Sequence, residues 1–128
     1  MTVSRIVIAT DIIIDHLVTG EEVSILRRLM SQYFCYTTVF TAVELFAGAR
    51  SSKERQAVDD AMSAMKVLGL NAKSAKNIAP VVMRNRESIA GLIAGLCIES
   101  GLPIVTLNPK RFAAGTALKI MHPEDLLI

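Results

Sequence analysis

The feature that most constrains this chain is a recurrence: short, wholly apolar, β-branched runs alternate with longer segments of helical periodicity. Residues 4–9 hold Ile6-Val7-Ile8 and residues 103–106 hold Ile104-Val105, runs fit for strands buried on both faces. Two weaker runs, 34–37 and 67–70, and a last one at 118–121 also read as strands. Between them, apolar residues fall at i, i+3 and i+4. Ile12, Ile13, Ile14, Leu17 and Val18 continue a first helix capped by Thr10 and ended by Gly20, and a second follows over 21–30. Val43, Phe46 and Ala47 line one face of a helix over 39–49, and Ser51-Ser52 caps another over 53–65. A helix over 72–86 contains Pro80, which kinks or breaks it. Ser88 caps the next, with Ile89, Leu92, Ile93, Leu96 and Cys97 on its apolar side and Gly101 closing it; a helical turn lies near 109–112. Strands separated by helices imply parallel pairing in an α/β sandwich, whose binding edge is the row of strand carboxyl ends.

The chain of 128 residues is read as a single domain over 1–128, with 52% apolar and 5% aromatic residues pointing to aliphatic, layered packing. Cys35 and Cys97 match no metal or disulfide spacing and read as buried thiols, which places the protein in a reducing, cytoplasmic compartment. Asp11 and Asp15 interrupt the apolar stretch a signal peptide needs. Glu99, Gly101 and Pro103 likewise cut 89–105 short of the roughly 20 apolar residues that span a bilayer, so no membrane is expected. A net charge of +2 lacks the dense positive field of a dedicated nucleic-acid-binding tail. Local basic clusters at Arg27-Arg28, Arg50 with Lys53 and Arg55, Arg84 with Arg86, and Lys110-Arg111 suit phosphate contact or a solvated helix face equally.

The residues able to carry chemistry are few. Glu44 stands out because it sits in TAVELFAGA, on a helix that must pack, where a partly buried carboxylate needs a cation or hydrogen-bond donors. A salt bridge to a nearby arginine satisfies that need as well as a catalytic role does. Asp11 and Asp15, four apart, share a helix face and are placed to grip a cation together; equally, Asp11 gains from the helix dipole and Asp15 from exposure near His16. His16 and His122 have no second ligand at metal-binding spacing. There is no P-loop, no G-x-G-x-x-G and no G-x-S-x-G, which leaves nucleotide cofactors and acyl-transfer triads unsupported. A phosphoacceptor receiver-like domain needs an aspartate after a central strand, where this chain offers Asn108.

Four motifs on three segments, taken in order, carry a resemblance. IVIATDIIIDHL, TAVELFAGA and ESIAGLIAGLCIESGLPIVTLNPKRF together resemble the PIN-domain family, and most closely the VapC toxins of type II toxin–antitoxin pairs, over nearly the whole chain. The resemblance implies a PIN-like three-layer α/β/α sandwich with a parallel central sheet. Members carry D-T-x-x-L-I-D, E-L-x-x-G, D-x-L-I-A and T-x-N-x-x-x-F, and their acids hold Mg²⁺ or Mn²⁺ to cut RNA. On this chain the glutamate is Glu44, and the last motif supplies Thr106 and Asn108. The other two acidic positions hold alanine: Asp15 anchors the first motif and puts its acid at Ala9, and Leu92-Ile93-Ala94 puts the third at Ala90.

What the resemblance implies follows residue by residue. In a parental form, acids at positions 9 and 90 would bind metal with Glu44, while Thr106 and Asn108 orient water, metal or phosphate. Thr10, Arg84, Arg86, Lys110 and Arg111 would contact RNA, either transfer or ribosomal RNA. The protein would be a metal-dependent endoribonuclease, a hydrolase of phosphodiester bonds, working as a homodimer and countered by a VapB-like antitoxin that covers the active-site groove. Mg²⁺ is held in such sites by carboxylates, so the chain as written is expected to bind it weakly or not at all and to lack activity. Deliberate replacement of active-site acids and a natural PIN pseudoenzyme that binds antitoxin or RNA both account for the alanines.

Overall fold

A computed structural model describes residues 3–19, 23–112 and 117–127. Among these residues, five parallel strands form one sheet: β1 (Arg5–Ile8), β2 (Phe34–Thr38), β3 (Lys66–Leu68), β4 (Ile104–Val105) and β5 (Ile120–Met121), in the order β3-β2-β1-β4-β5. The expected α/β class and parallel sheet are those observed. Strand order reverses beside β1, so the cleft at the carboxyl ends of β1 and β4 is the topological switch point.

Among the described residues, six helices cover the sheet: α1 (Thr10–Thr19), α2 (Ile25–Met30), α3 (Val39–Gly48), α4 (Ser52–Ser63), α5 (Ala72–Arg84) and α6 (Ser88–Ser100). Side chains of β1 alternate between two cores. Ile6 and Ile8 pack with Ile12 and Ile13 of α1, Leu26 and Leu29 of α2, and Val58 and Ala61 of α4. Val7 faces the other way, with Ile93, Ala94 and Cys97 of α6 and with Phe112. The period-2 pleat thus divides one short apolar strand between two layers, giving the three-layer sandwich. Each fully buried Ile or Leu contributes about 1.5–3 kcal/mol by leaving water. Helix α3 bridges the layers, with Leu45 in the first core and Phe40 against the second.

Helices α5 and α6 pack backbone to backbone. A Cβ on Gly91 would stand 2.8 Å from Val82 Cα, and one on Gly95 would stand 2.7 Å from Ile78 Cβ. Only glycine allows that approach. Gly101, at φ 69°, ends α6 in the left-handed conformation, as its position in the sequence suggested.

Several local expectations are corrected. Thr10 does not cap α1: it is the first helical residue, Ala9 O accepts from Ile12 N at 3.3 Å, and the Thr10 hydroxyl is drawn to Glu44. Helix α2 starts at Ile25, where Ser24 Oγ accepts from Arg27 N at 3.1 Å; Gly20 and residues 21–22 lie outside the described residues. Pro80 neither breaks α5 nor ends it, and the helix stops at Arg84, where Asn85 Nδ2 donates to Val81 O. Ser88 is the first residue of α6, preceded by Glu87, whose side chain makes no cap. Strands β3 and β5 are shorter than 67–70 and 118–121, and β3 begins one residue earlier. Asp11 and Asp15 do not converge on one point. Asp15 is half-buried and accepts from Ile25 N at 3.4 Å, whereas Asp11 turns to β4.

Candidate functional site

The cleft lies where β1, β2 and β4 end, and its polar groups come from the residues that follow each strand. After β2, Thr38 caps α3: its Oγ1 accepts from Thr41 N at 3.1 Å and lies 3.2 Å from Thr41 Oγ1. Thr41 Oγ1 is in turn 3.3 Å from Thr10 Oγ1, and Thr10 donates to Glu44 Oε1 at 2.7 Å. A hydroxyl has one proton, and Thr10 spends it on the carboxylate, so Thr41 is the donor in its contact with Thr10. Three hydroxyls from three elements, β2, α3 and α1, therefore point their donors in series at Glu44.

Glu44 also receives Arg111 in a fork, NH2 to Oε2 at 2.7 Å and NH1 to Oε1 at 3.1 Å. The same guanidinium reaches Glu87 through Nε, at 3.2 Å, and through NH2. Side-chain exposure separates the three: 18% for Arg111, 20% for Glu44 and 52% for Glu87. Burial opposes the charge on Arg111, but hydrogen bonds and charge from Glu87 and Glu44 outweigh it and raise its pKa above that of a free arginine. The hydrogen bond from Arg111 holds the Glu87 carboxyl below its usual range, against a smaller opposing effect of burial.

After β4, Thr106 is fully buried and donates to Asp11 Oδ2 at 2.6 Å, while Leu107 N donates to Oδ1 at 3.2 Å. Asn108 N donates to Thr106 Oγ1 at 3.0 Å, leaving the Asn108 side chain exposed. Ala9 and Ala90, at 1% and 0% exposure, belong to the same apolar cluster as Val7, Ile93 and Phe112. Arg84, Arg86 and Lys110 are exposed, and their side chains make no ion pair or hydrogen bond among the described residues.

The structure thus brings together Thr10, Glu44 and Arg111 as one group and Thr106 with the Asn108 backbone as another, and sets Ala9 and Ala90 in the core between strand and helix. Sequence reasoning missed Glu87, and it pointed to Thr38 to Thr41 only as residues at a strand's carboxyl end, with no role given to Thr38 or Thr41. Glu87 looked like an ordinary exterior acid, although it directly precedes α6. The signal for the threonines was their clustering at a strand end, in Thr37-Thr38 followed by Thr41.

These residues do not fit the Mg²⁺ or Mn²⁺ implied by the resemblance. Among the described residues, no three His, Cys, Asp or Glu side chains converge. Both oxygens of Glu44 are already engaged by an internal cation and a hydroxyl. Alongside this centre, an open apolar groove runs between α1, α3 and α4, lined by Ile14, Leu17, Val18, Leu45 and Val58 and reaching Glu44. No helix among the described residues is long and apolar enough to cross a membrane.

The all-parallel sheet and the helices that cover it among the described residues match the PIN fold. The chain is similar to a chain of VapBC2 from Rickettsia felis bound to a promoter DNA fragment, at TM-score 0.76 and 15% identity, covering 92% of this chain and 98% of that one. It is also similar to DNA-bound VapBC from Salmonella typhimurium, at TM-score 0.74 and 20% identity over 95% of this chain and 99% of the other. FitAcB from Neisseria gonorrhoeae gives TM-score 0.71 and 18% identity over 94% and 99%. At these identities the likeness is one of fold. No protein-family model matches the chain, and no curated protein matches it in sequence.

Proposed function

We propose that this protein is a VapC-like PIN-domain toxin scaffold of a toxin–antitoxin pair that no longer cuts RNA. The observation that carries this reading is the state of Glu44, the one acid remaining of the motif set, which is closed by the Arg111 fork and Thr10 while positions 9 and 90 are apolar and buried. A metal nuclease needs carboxylates free to concentrate the ion, and this cleft has none in that condition. What the scaffold keeps is a partner surface: the apolar groove along α1, α3 and α4 suits an apolar segment of a VapB-like antitoxin. The homodimer and the RNA contacts of Arg84, Arg86 and Lys110 rest on the resemblance.

The test is direct. The purified chain, incubated with transfer and ribosomal RNA and with Mg²⁺ or Mn²⁺, is expected to leave both intact, and chelator-sensitive cleavage would overturn the reading. Between a deliberately inactivated toxin and a natural pseudoenzyme, the internal charge balance of the cleft favours the second, because Arg111 supplies Glu44 with a counter-charge from within the chain. Replacing Ala9 and Ala90 by aspartate and finding RNA cleavage restored, with Arg111 unchanged, would reverse that preference.

A further inference from the structure

We infer that Arg111 is the resident cation of this cleft, and that it excludes divalent metal independently of the two alanines. This rests on reading the cleft as the remnant of a metal site, and it adds a second cause for the loss. Three observations support it. The guanidinium addresses both oxygens of Glu44 and both of Glu87, so it occupies the space in which those two carboxylates face each other. Its backbone is fixed: Arg111 N donates to Asn108 O at 3.1 Å, and the next residue, Phe112, is 1% exposed in the core. Its Cζ also lies 5.6 Å from the Phe112 ring centroid, within cation–π range.

A divalent ion approaching Glu44 would meet a fixed positive charge at contact distance, in a half-buried place where screening is weak. Arginine cannot relieve this by losing its proton, since a guanidinium stays charged in proteins. Entry therefore requires the guanidinium to leave both carboxylates. Two added aspartates do not remove it.

The experiment reads metal binding rather than cleavage. Mn²⁺ affinity is measured by isothermal titration for the Ala9→Asp/Ala90→Asp chain, with Arg111 retained and with Arg111→Gln added. The chain carrying Arg111→Gln is expected to bind Mn²⁺ at least about tenfold more tightly; equal affinity, or no saturable binding in either, overturns the inference. Because buried aspartates can prevent folding, Arg111→Gln is also made alone. Mn²⁺ is then expected to raise the Tm of Arg111→Gln and leave the unsubstituted chain unmoved, and an equal response from both overturns the inference. Failure here, with RNA still uncut by the unsubstituted chain, would leave the proposed function standing.

Discussion

Thr106 and Asp11 meet across the switch point of the sheet: the buried hydroxyl at the end of β4 donates at 2.6 Å to the carboxylate in the first turn of α1. The same carboxylate takes Leu107 N, so one side chain fastens the loop after β4 to the first turn of α1. The acid that the sequence presents beside Ala9 is thus a structural tie at the edge of the cleft.

Replacing Asp11 by alanine leaves a buried hydroxyl and a backbone N–H without their acceptor. The expected loss is about 1–3 kcal/mol of folding stability, read from urea unfolding. Asp11→Asn, which keeps an acceptor oxygen, should recover part of it. A loss below about 0.5 kcal/mol for the alanine variant would contradict the assigned role.

The two ion pairs of Arg111 should differ in strength. Glu44 is largely shielded and bound through a fork, whereas Glu87 is half exposed. Double-mutant cycles are expected to give a Glu44–Arg111 coupling of about 1–2 kcal/mol and a Glu87–Arg111 coupling under about 1 kcal/mol, with only the latter fading in high salt. The reverse ranking would mean that exposure does not govern this network.

Glycine to alanine substitution on α6 should show overpacking. Gly91→Ala and Gly95→Ala each place a methyl group inside 3 Å of α5 and are expected to cost about 1–3 kcal/mol. Gly48, at the end of α3 with open space around its Cα, provides the contrast: Gly48→Ala should be neutral or stabilise by up to about 1 kcal/mol. Thermal melts of the three variants decide the matter.

His16 gives the stability a pH dependence. Burial first, and the nearby Arg27 second, lower its pKa beneath the ordinary 6.5, while Asp15 opposes them. Its neutral Nδ1 lies 2.7 Å from Ser24 Oγ, the residue that caps α2. Since the unfolded chain takes up the proton first as pH falls, the contribution of His16 is whole above about pH 6.5 and is lost as pH drops through the folded value. Glu87, also held low, acts in the same direction further down, below its ordinary 4.5. Urea midpoints should therefore fall between about pH 7.5 and about pH 5.5, and His16→Gln should flatten that part of the profile.

Much of the fold was legible because apolar periodicity reports layers directly: Ile6-Val7-Ile8 could only be a strand covered on both faces, and Ile93, Leu96 and Cys97 an inward helix face. Element ends were less legible. Thr10 resembles a helix cap in every local respect, yet its hydroxyl is claimed by Glu44, a residue 34 positions away. The cleft was legible in its members and hidden in its pairing. Glu44 advertised a need for a counter-charge, but the identity of the partner depends on how the turn over Pro109–Phe112 returns to α3, which no local pattern encodes.

The strand order has a consequence for when this protein comes into being. Strand β1 pairs with β2 some thirty residues later but waits for β4, about a hundred residues on, to cover its other edge. At ribosomal rates of about 5–20 residues per second, that edge stays open for roughly 5–20 s of synthesis. The ties to the far side of the cleft share the delay, since Glu44 awaits Arg111 and Asp11 awaits Thr106. The nascent chain therefore carries an unpaired apolar strand early and acquires its cleft late, so the interval of greatest aggregation risk precedes the moment at which any cleft-directed partner can recognise it.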